Sequence, residues 1–169
     1  MISDLAVVGL FGLFLMVLLA VLLVRRARRV GTTAAGPQAS VIVDGSNVMH
    51  WGGGDPSLIV LTRVLQSLRD DKGHIPAVVF DANVGYKLFN RFHGHAAMAS
   101  AIDMPQHLVL VVDRGVIADE AILDVAARHN LPVVSNDRFR DWSVQYPWVR
   151  KKGRVLRGTW KDGSVRWAH

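Results

Sequence analysis

Four acidic residues each end a short apolar run, and this position can bring them together in a folded chain. The runs are VIVD, VVFD, LVVD and VVSND, which close at Asp44, Asp81, Asp113 and Asp137. In an open parallel sheet the C-terminal ends of the strands lie along one edge, where ligands bind. Three further acids are expected near the same edge, namely Asp119, Glu120 and Asp141. The pattern therefore predicts a cluster of up to seven carboxylates.

Such a cluster indicates chemistry that uses a hard cation. Carboxylates in close proximity repel one another unless a positive charge neutralises them. Mg²⁺ or Mn²⁺ prefers carboxylate and water oxygens and also binds substrate phosphate, so the pattern predicts metal-assisted phosphodiester chemistry. The alternative at any one position is an aspartate that only caps a helix or stabilises a turn. This alternative is strongest for Asp119 and, to a lesser degree, for Asp55.

The elements that must position these acids alternate along the chain. Leucines recur at helical spacing over residues 58–68, with Asp55 and Pro56 expected as the cap and first-turn pair and Gly73 as the stop. Residues 119–129 predict another helix, closed by Asn130, and residues 85–104 predict a broken one. Buried strands that alternate with helices favour an α/β fold with a mostly parallel, doubly wound sheet.

The first part of the sequence has the properties of a membrane anchor. Residues 5–24 contain no charged or strongly polar side chain, and 20 residues at about 1.5 Å each span a bilayer core of roughly 30 Å. The basic run RRARR follows directly, whereas residues 1–4 carry no basic side chain, which favours a retained transmembrane helix over a cleaved signal peptide. The positive-inside rule then places the rest of the chain in the cytoplasm.

These features divide the chain into four parts. We expect an N-terminal tip at 1–4, a transmembrane helix at 5–24, a basic flank and linker at 25–39, and a cytoplasmic domain at 40–169. The formal net charge is +6, but it falls to +3 without Asp4 and the four arginines of the flank. This balance permits an anionic partner without requiring one. The chain has no cysteine, which excludes thiolate metal sites and thiol nucleophiles.

Three segments resemble the active-site motifs of the NYN/PIN-like ribonucleases, most of all the Regnase-type branch. They are VIVDGSNVMHW, IADEAIL and VVSNDRFRDW, in the order found in that family. The resemblance covers Ser40 to Trp142, and between Trp51 and Gly115 only the secondary-structure pattern supports it. It implies a PIN-like, Rossmann-like sheet flanked by helices and a divalent-metal-dependent hydrolysis of single-stranded RNA. The complete expectation is a membrane-anchored ribonuclease with Mg²⁺ or Mn²⁺ as its cofactor.

The resemblance also assigns roles to individual residues. The implied catalytic acids are Asp44, Asp119, Glu120 and Asp137, which would also hold the metal together with Asp141. Glu120 stands where the family often has aspartate, and Asp141 would share a helical face with Asp137. Contacts to RNA phosphate are expected from Asn47, Ser135 and Asn136, with a turn-stabilising role as the alternative for Asn47. Independently of the resemblance, Arg138 and Arg140 are basic residues that could bind backbone phosphates or be ordinary surface charge. Asp81 is an additional acid with a weaker match, and Asp113 would lie on an edge strand away from the metal.

Several basic and aromatic residues have two possible roles. Lys87, Arg91 and residues 150–152 could follow an RNA backbone or be ordinary surface charge. Trp51, Tyr86, Phe89 and Phe92 could stack on bases, but the helical spacing of Phe89 and Phe92 favours the core. Residues 142–169 hold four of the five tryptophans and predict a terminal hairpin with a KDGS turn. This extension could cover the sheet edge, contact RNA or lie against lipid headgroups.

Two other classes of function stay open at this point. One is a non-catalytic RNA-binding or scaffolding module at the membrane, and the retained acids argue against it because RNA binding favours fewer anions. The other is a phosphatase or a nuclease that acts on DNA, since acids at a sheet edge do not recognise the sugar and no feature of the sequence indicates a contact to the 2′-hydroxyl group.

Overall fold

A five-stranded parallel sheet forms the centre of the domain in the computed structural model, which describes residues 38–168. Its strands are β1 (Val41–Asp44), β2 (Pro76–Phe80), β3 (Val109–Val111), β4 (Val133–Val134) and β5 (Val155–Leu156). Their order is β3-β2-β1-β4-β5, and every neighbouring pair is parallel. The α/β fold with a mostly parallel sheet is therefore confirmed. The predicted transmembrane helix at 5–24 lies outside the described residues, and within residues 38–168 no helix is long and apolar enough to cross a membrane.

Helices cover both faces of this sheet. They are α1 (Gly45–Val48), α2 (Leu58–Asp70), α3 (Val84–Phe89), α4 (His95–Ala101) and α5 (Ala118–His129). Successive residues of a strand face opposite sides, so Val41 and Val43 join the core formed with α1, α2 and α4, whereas Ile42 joins the core formed with α5. The centre of the sheet is thus buried on both sides, as the continuous apolar runs predict.

The helix ends differ in part from those expected. Ser57 caps α2, where its side chain accepts a hydrogen bond from the Val60 N–H at 3.4 Å, so the predicted Asp55–Pro56 cap is wrong. Asn130 closes α5 in the left-handed conformation, as predicted. Asp119 lies inside the first turn of α5 and does not cap it, because the capping position belongs to Ile117. The alternative account of Asp119 as a helix cap is therefore wrong.

The C-terminal segment serves two parts of the fold. Val155 and Leu156, expected in the hairpin, form β5 beside β4 instead, and the Ser135 N–H donates to the Leu156 carbonyl at 3.1 Å. The hairpin follows as β6 (Gly158–Lys161) and β7 (Ser164–Trp167), and its two-residue turn has positive φ at both Asp162 and Gly163. Its last tryptophan, Trp167, donates a hydrogen bond to the Ser67 hydroxyl of α2 at 3.0 Å, which attaches the hairpin to the domain.

Candidate active site

Asp44 lies at the end of β1, where it is 5% exposed and forms the N-cap of α1. Its Oδ1 accepts a hydrogen bond from the Asn47 N–H at 3.0 Å, and its Oδ2 accepts one from the Ser135 hydroxyl at 2.8 Å. The next residue must be glycine, because a Cβ at Gly45 would lie only 2.5 Å from the ring of Phe80. The DGSN segment thus packs α1 closely on β2 and fixes both oxygens of one buried carboxylate.

Other acids surround Asp44 closely enough to influence its charge. Burial is the main cause that raises the pKa of Asp44 to about 6, while its hydrogen bonds with Asn47 and Ser135 act in the opposite direction. The negative charges of Asp119 and Asp81 add to the increase. The pKa of Asp119 is itself raised, first by burial and then by the charges of Asp137 and Asp81. We refer to Asp44, Asp81, Asp119 and Asp137 as the acid cluster.

The remaining predicted acids are not part of this cluster. Glu120 is exposed on the first turn of α5, and its charge acts on Tyr146, whose pKa is raised to about 12 mainly by the hydrogen bond to Asp124. Asp141 is exposed in a turn and contributes to neither shifted pKa in the cluster. Asp113 follows the edge strand β3 and is exposed, in agreement with its expected distance from the site.

Asp137 and Asp141 do not share a helical face, so that part of the prediction is wrong. The chain from Asn136 to Phe139 is irregular, and Phe139 adopts a positive φ of 48°. The Asp137 carboxylate accepts a hydrogen bond from the Phe139 N–H at 2.6 Å, which stabilises this turn. A local side-chain bond therefore replaces the helix that the spacing suggested.

Three residues predicted to contact phosphate instead hold the site together. Asn47 Oδ1 accepts from both the Trp51 Nε1–H at 3.0 Å and the Asn136 N–H at 2.9 Å. Ser135 is fully buried, and while its hydroxyl donates to Asp44 it accepts from the Asp137 N–H at 3.1 Å. Ser135 therefore does not face a phosphate in this structure, contrary to the prediction.

Asn136 connects this loop to the hairpin. Its Nδ2 donates to the Gly158 carbonyl at 2.8 Å, and its Oδ1 accepts from the Gly158 N–H at 3.2 Å. Both ends of the amide are engaged, so Asn136 positions the residue next to it, Asp137, instead of offering a free amide to substrate. No spacing in the sequence identifies these bonds, because their partners lie 22 and 89 residues apart.

The donor chemistry of the acid cluster fits a hard divalent cation. Its side chains offer only carboxylate oxygens, and their mutual repulsion is relieved when a positive charge is bound. Within residues 38–168, no three His, Asp or Glu side chains are close enough to hold one ion as they stand. The charge of the site therefore fits the predicted metal, whereas the side-chain positions within residues 38–168 do not form a complete set of ligands for it.

A groove lined by arginine borders the acid cluster on the hairpin side. Arg138, Arg157 and Arg166 line a cleft of about 400 Å³ together with Asn136 and Trp167. Sequence reasoning identified Arg138 but missed the other two. The hairpin pattern could have identified them, because residues two apart in a strand face the same side. Arg157 is two residues from Thr159, and Thr159 pairs with Arg166 across the strands. We refer to these three side chains as the arginine groove.

Other predicted basic residues have different partners. The Lys87 Nζ lies 3.6 Å from the Asp81 Oδ2, which places a lysine beside the acid cluster. Arg150 donates to the Ser143 hydroxyl at 2.6 Å, a contact that stabilises the turn after β4. Arg140 and residues 151–152 are exposed and line neither the groove nor the acid cluster.

Structures of a protein-only RNase P have the same fold as this domain. Two structures of nuclear protein-only RNase P 2 from Arabidopsis thaliana superimpose with TM-scores of 0.62 and 0.58, each at 19% identity, over 79% and 77% of this chain. The chain spans only about 30% of the length of that protein. The PIN domain endonuclease Utp24 aligns over 75% of this chain and 89% of its own, with 15% identity and a TM-score of 0.40.

The sequence itself supplies the closer relationship. No curated protein matches it. The family profile described as Zc3h12a-like Ribonuclease NYN domain matches residues 37–166, which include the whole acid cluster and the arginine groove. On this match the chain belongs to the Zc3h12a-like ribonuclease NYN domain family.

Proposed function

We propose that this domain hydrolyses phosphodiester bonds of single-stranded RNA with a divalent metal ion held at the acid cluster. The observation that carries the proposal is the state of Asp44, a buried carboxylate with both oxygens fixed and with other acids close by. Such an arrangement is unfavourable for the apo fold and is typical of sites that bind a cation or catalyse a reaction. The ribonuclease NYN family membership supports RNA as the substrate.

Three members of the acid cluster, Asp44, Asp119 and Asp137, would hold the metal, with Asp81 beside them. When bound, a divalent ion would neutralise the charge of the substrate phosphate and lower the pKa of water at the site. The protein keeps the carboxylates in place for this chemistry. The Ser135 hydroxyl joins the Asp44 carboxylate to the backbone of Asp137, so one side chain links the segments that carry the two acids. Glu120 and Asp141 remain predicted ligands from the rim of the site.

The arginine groove would bind the RNA strand on one side of the reacting phosphate. Three guanidinium groups in one cleft neutralise several backbone phosphates without reading the bases. Binding by these residues is expected to weaken with salt, since each neutralised phosphate releases counterions.

The test is cleavage of a labelled single-stranded RNA by the full chain, with Mn²⁺ or Mg²⁺ compared with EDTA. Asp137→Asn should lose at least about 100-fold in turnover while RNA affinity stays equal or improves, because one anion is removed from the site. Asp162→Asn, in the exposed hairpin turn, is the matched control and should cleave as the wild type does. Equal cleavage by Asp137→Asn and wild type would contradict the assignment of the acid cluster.

The same assay separates the other classes of function. Binding of RNA without cleavage under either metal would indicate a non-catalytic RNA-binding module, and the enzymatic proposal would be wrong. Single-stranded DNA of the same sequence is tested in parallel, and faster cleavage of DNA than of RNA would overturn the proposed substrate.

We further propose that residues 5–24 anchor this activity in a membrane with the domain in the cytoplasm, as the basic flank indicates.

A further inference from the structure

A second cleft opens beside the acid cluster, on the side away from the hairpin. It lies between α3 and the C-terminal ends of β2 and β3, and its volume is about 510 Å³. Two aromatic side chains line it and are largely exposed, Tyr86 at 57% and Phe92 at 66%. The helical spacing predicted that Phe89 and Phe92 would both be in the core, and this prediction is wrong because both side chains are exposed. Exposed aromatic surface in a cleft is a feature of binding sites.

The backbone around α3 gives the cleft a defined shape. Asn90 ends α3 in the left-handed conformation, with φ of 56°, and turns the chain back along the helix. The returning segment packs directly on Gly85, where a Cβ would lie 2.4 Å from the His93 backbone nitrogen. Only glycine permits this approach, which places Phe92 on the same cleft as Tyr86. This close backbone contact therefore holds Phe92 and Tyr86 on the same cleft.

Polar groups stand at the edge of these apolar walls. Asp113 and Asn83 line the cleft and provide an acceptor carboxylate and an amide. His95 also lines it, and its Nδ1 accepts a hydrogen bond from the Val111 N–H at 3.0 Å. The proton of this neutral imidazole is therefore on Nε2, which is left as a donor. The cleft thus combines flat apolar surfaces with donors and an acceptor.

We propose that this cleft binds one nucleobase of the RNA strand, beside the phosphate held at the acid cluster. Aromatic side chains in proteins that bind single strands stack on bases, and neighbouring polar groups bond the pairing edge. The position fits, because Ala82 and Asn83 of the cleft follow Asp81 of the acid cluster directly. The inference rests on the proposed function for its substrate, and it adds a base-binding site to a phosphate-binding one.

The acceptor at Asp113 gives the cleft a base preference. A carboxylate accepts from the amino group of adenine, cytosine or guanine, whereas the pairing edge of uracil offers only its N3–H as a donor, between two carbonyl oxygens that repel a carboxylate. Asp113 therefore favours a base with an amino group over uracil. The exposed position of Asp113, away from the acid cluster, is explained by this role in place of metal binding.

Fluorescence anisotropy of short labelled RNAs in EDTA tests the cleft without cleavage. Tyr86→Ala and Phe92→Ala in the full chain should each weaken binding of an adenine-rich RNA about 5- to 150-fold, the range expected for loss of one stacked base. Phe89→Ala is the matched control, because Phe89 lies on α3 but outside the cleft, with its ring 4.3 Å from that of His93. Asp113→Asn should reduce the preference for adenine-rich over uracil-rich RNA.

The outcomes separate this inference from the proposed function. If wild type cleaves RNA and both cleft variants bind RNA like Phe89→Ala, the nucleobase site is wrong and the nuclease stands. If the cleft variants lose affinity but wild type never cleaves, the nucleobase site stands and the catalytic proposal is wrong. If Tyr86→Ala, Phe92→Ala and Phe89→Ala all lose RNA affinity equally and all have a lower thermal unfolding midpoint, the loss of affinity comes from unfolding. This result would overturn the inference.

Discussion

At the scale of single residues, Asp44 shows how the fold holds a carboxylate in an unfavourable environment. Its hydrogen bonds from the Asn47 N–H and the Ser135 hydroxyl favour the charged form. Burial opposes them and prevails, which raises the pKa of Asp44 to about 6. The metal-free fold therefore carries a strain that a bound cation would relieve, and stability and the proposed activity are in conflict at this residue.

This conflict predicts a pH-dependent stabilisation by Asp44→Asn. The folded-state pKa of about 6 lies above the ordinary value of 3.8 expected in an unfolded chain, so the protonated form favours folding. Asp44 should reduce the stability of the wild type by up to ~3 kcal/mol as the pH rises from about 4 through about 6, and the variant should lack this contribution. Urea unfolding in EDTA at pH 4, 5.5 and 7.5 measures the difference. A difference that stays constant with pH would contradict the prediction.

The sequence allowed the acids of the site to be predicted but not the residues that hold them. Asp44 and Asp137 end apolar runs, and strand ends meet at one edge of a parallel sheet, so topology alone brings them together. Ser135 and Asn136 were predicted to face phosphate because nothing local reveals their partners. Asp44 accepts from Ser135 across 91 residues, and such a bond becomes visible only when the register of β1 and β4 is known.

At the scale of elements, the C-terminal segment explains another limit of prediction. β5 contains only Val155 and Leu156, too short a run to be distinguished from the hairpin that follows. The hairpin itself is identifiable, because its Asp162–Gly163 turn provides two residues that adopt positive φ. Long elements with caps and periodic apolar positions, such as α2 and α5, were predicted well, apart from the capping residue of α2.

The packing of α1 on β2 predicts the effect of Gly45→Ala. The added methyl group would lie 2.5 Å from Phe80 and 2.7 Å from Val78, both fully buried, so the helix must shift. We expect a loss of about 1–3 kcal/mol in stability together with lower turnover, since Asp44 caps this helix. Thermal unfolding and the cleavage assay measure the two effects. Gly94→Ala, whose Cβ would meet its nearest atoms at 3.7 Å, should unfold like the wild type.

At the scale of the whole molecule, the proposed anchor would determine where the domain can act. An apolar run of 20 residues followed by four arginines within five positions would keep the domain at a cytoplasmic membrane surface. Substrates would then reach the acid cluster from the cytoplasm. A tethered nuclease acts on RNAs that come within reach of its linker, so location contributes to selection alongside the two clefts.

The anchor predicts that the full chain stays with membranes after alkaline carbonate extraction. Leu15→Arg with Leu18→Arg should release it, because each arginine near the centre of a span costs about 2.5–3.5 kcal/mol. Leu15→Ala with Leu18→Ala, which keeps the span apolar, is the control and should stay in the membrane fraction. Protease added to the outside of intact cells should leave the domain undigested. Extraction of the wild type by carbonate would show that the run does not span a bilayer.

The bonds from Asp44 to Ser135 and from Asn136 to Gly158 also set the order of events during biosynthesis. A chain emerging from the ribosome presents Asp44 long before the hydroxyl and the backbone that fix its site. Domains fold as units during synthesis, and this one lacks a complete site until its last strands are free. The proposed site is therefore complete only after Asp44, Ser135, Asn136 and Gly158 have all left the ribosome.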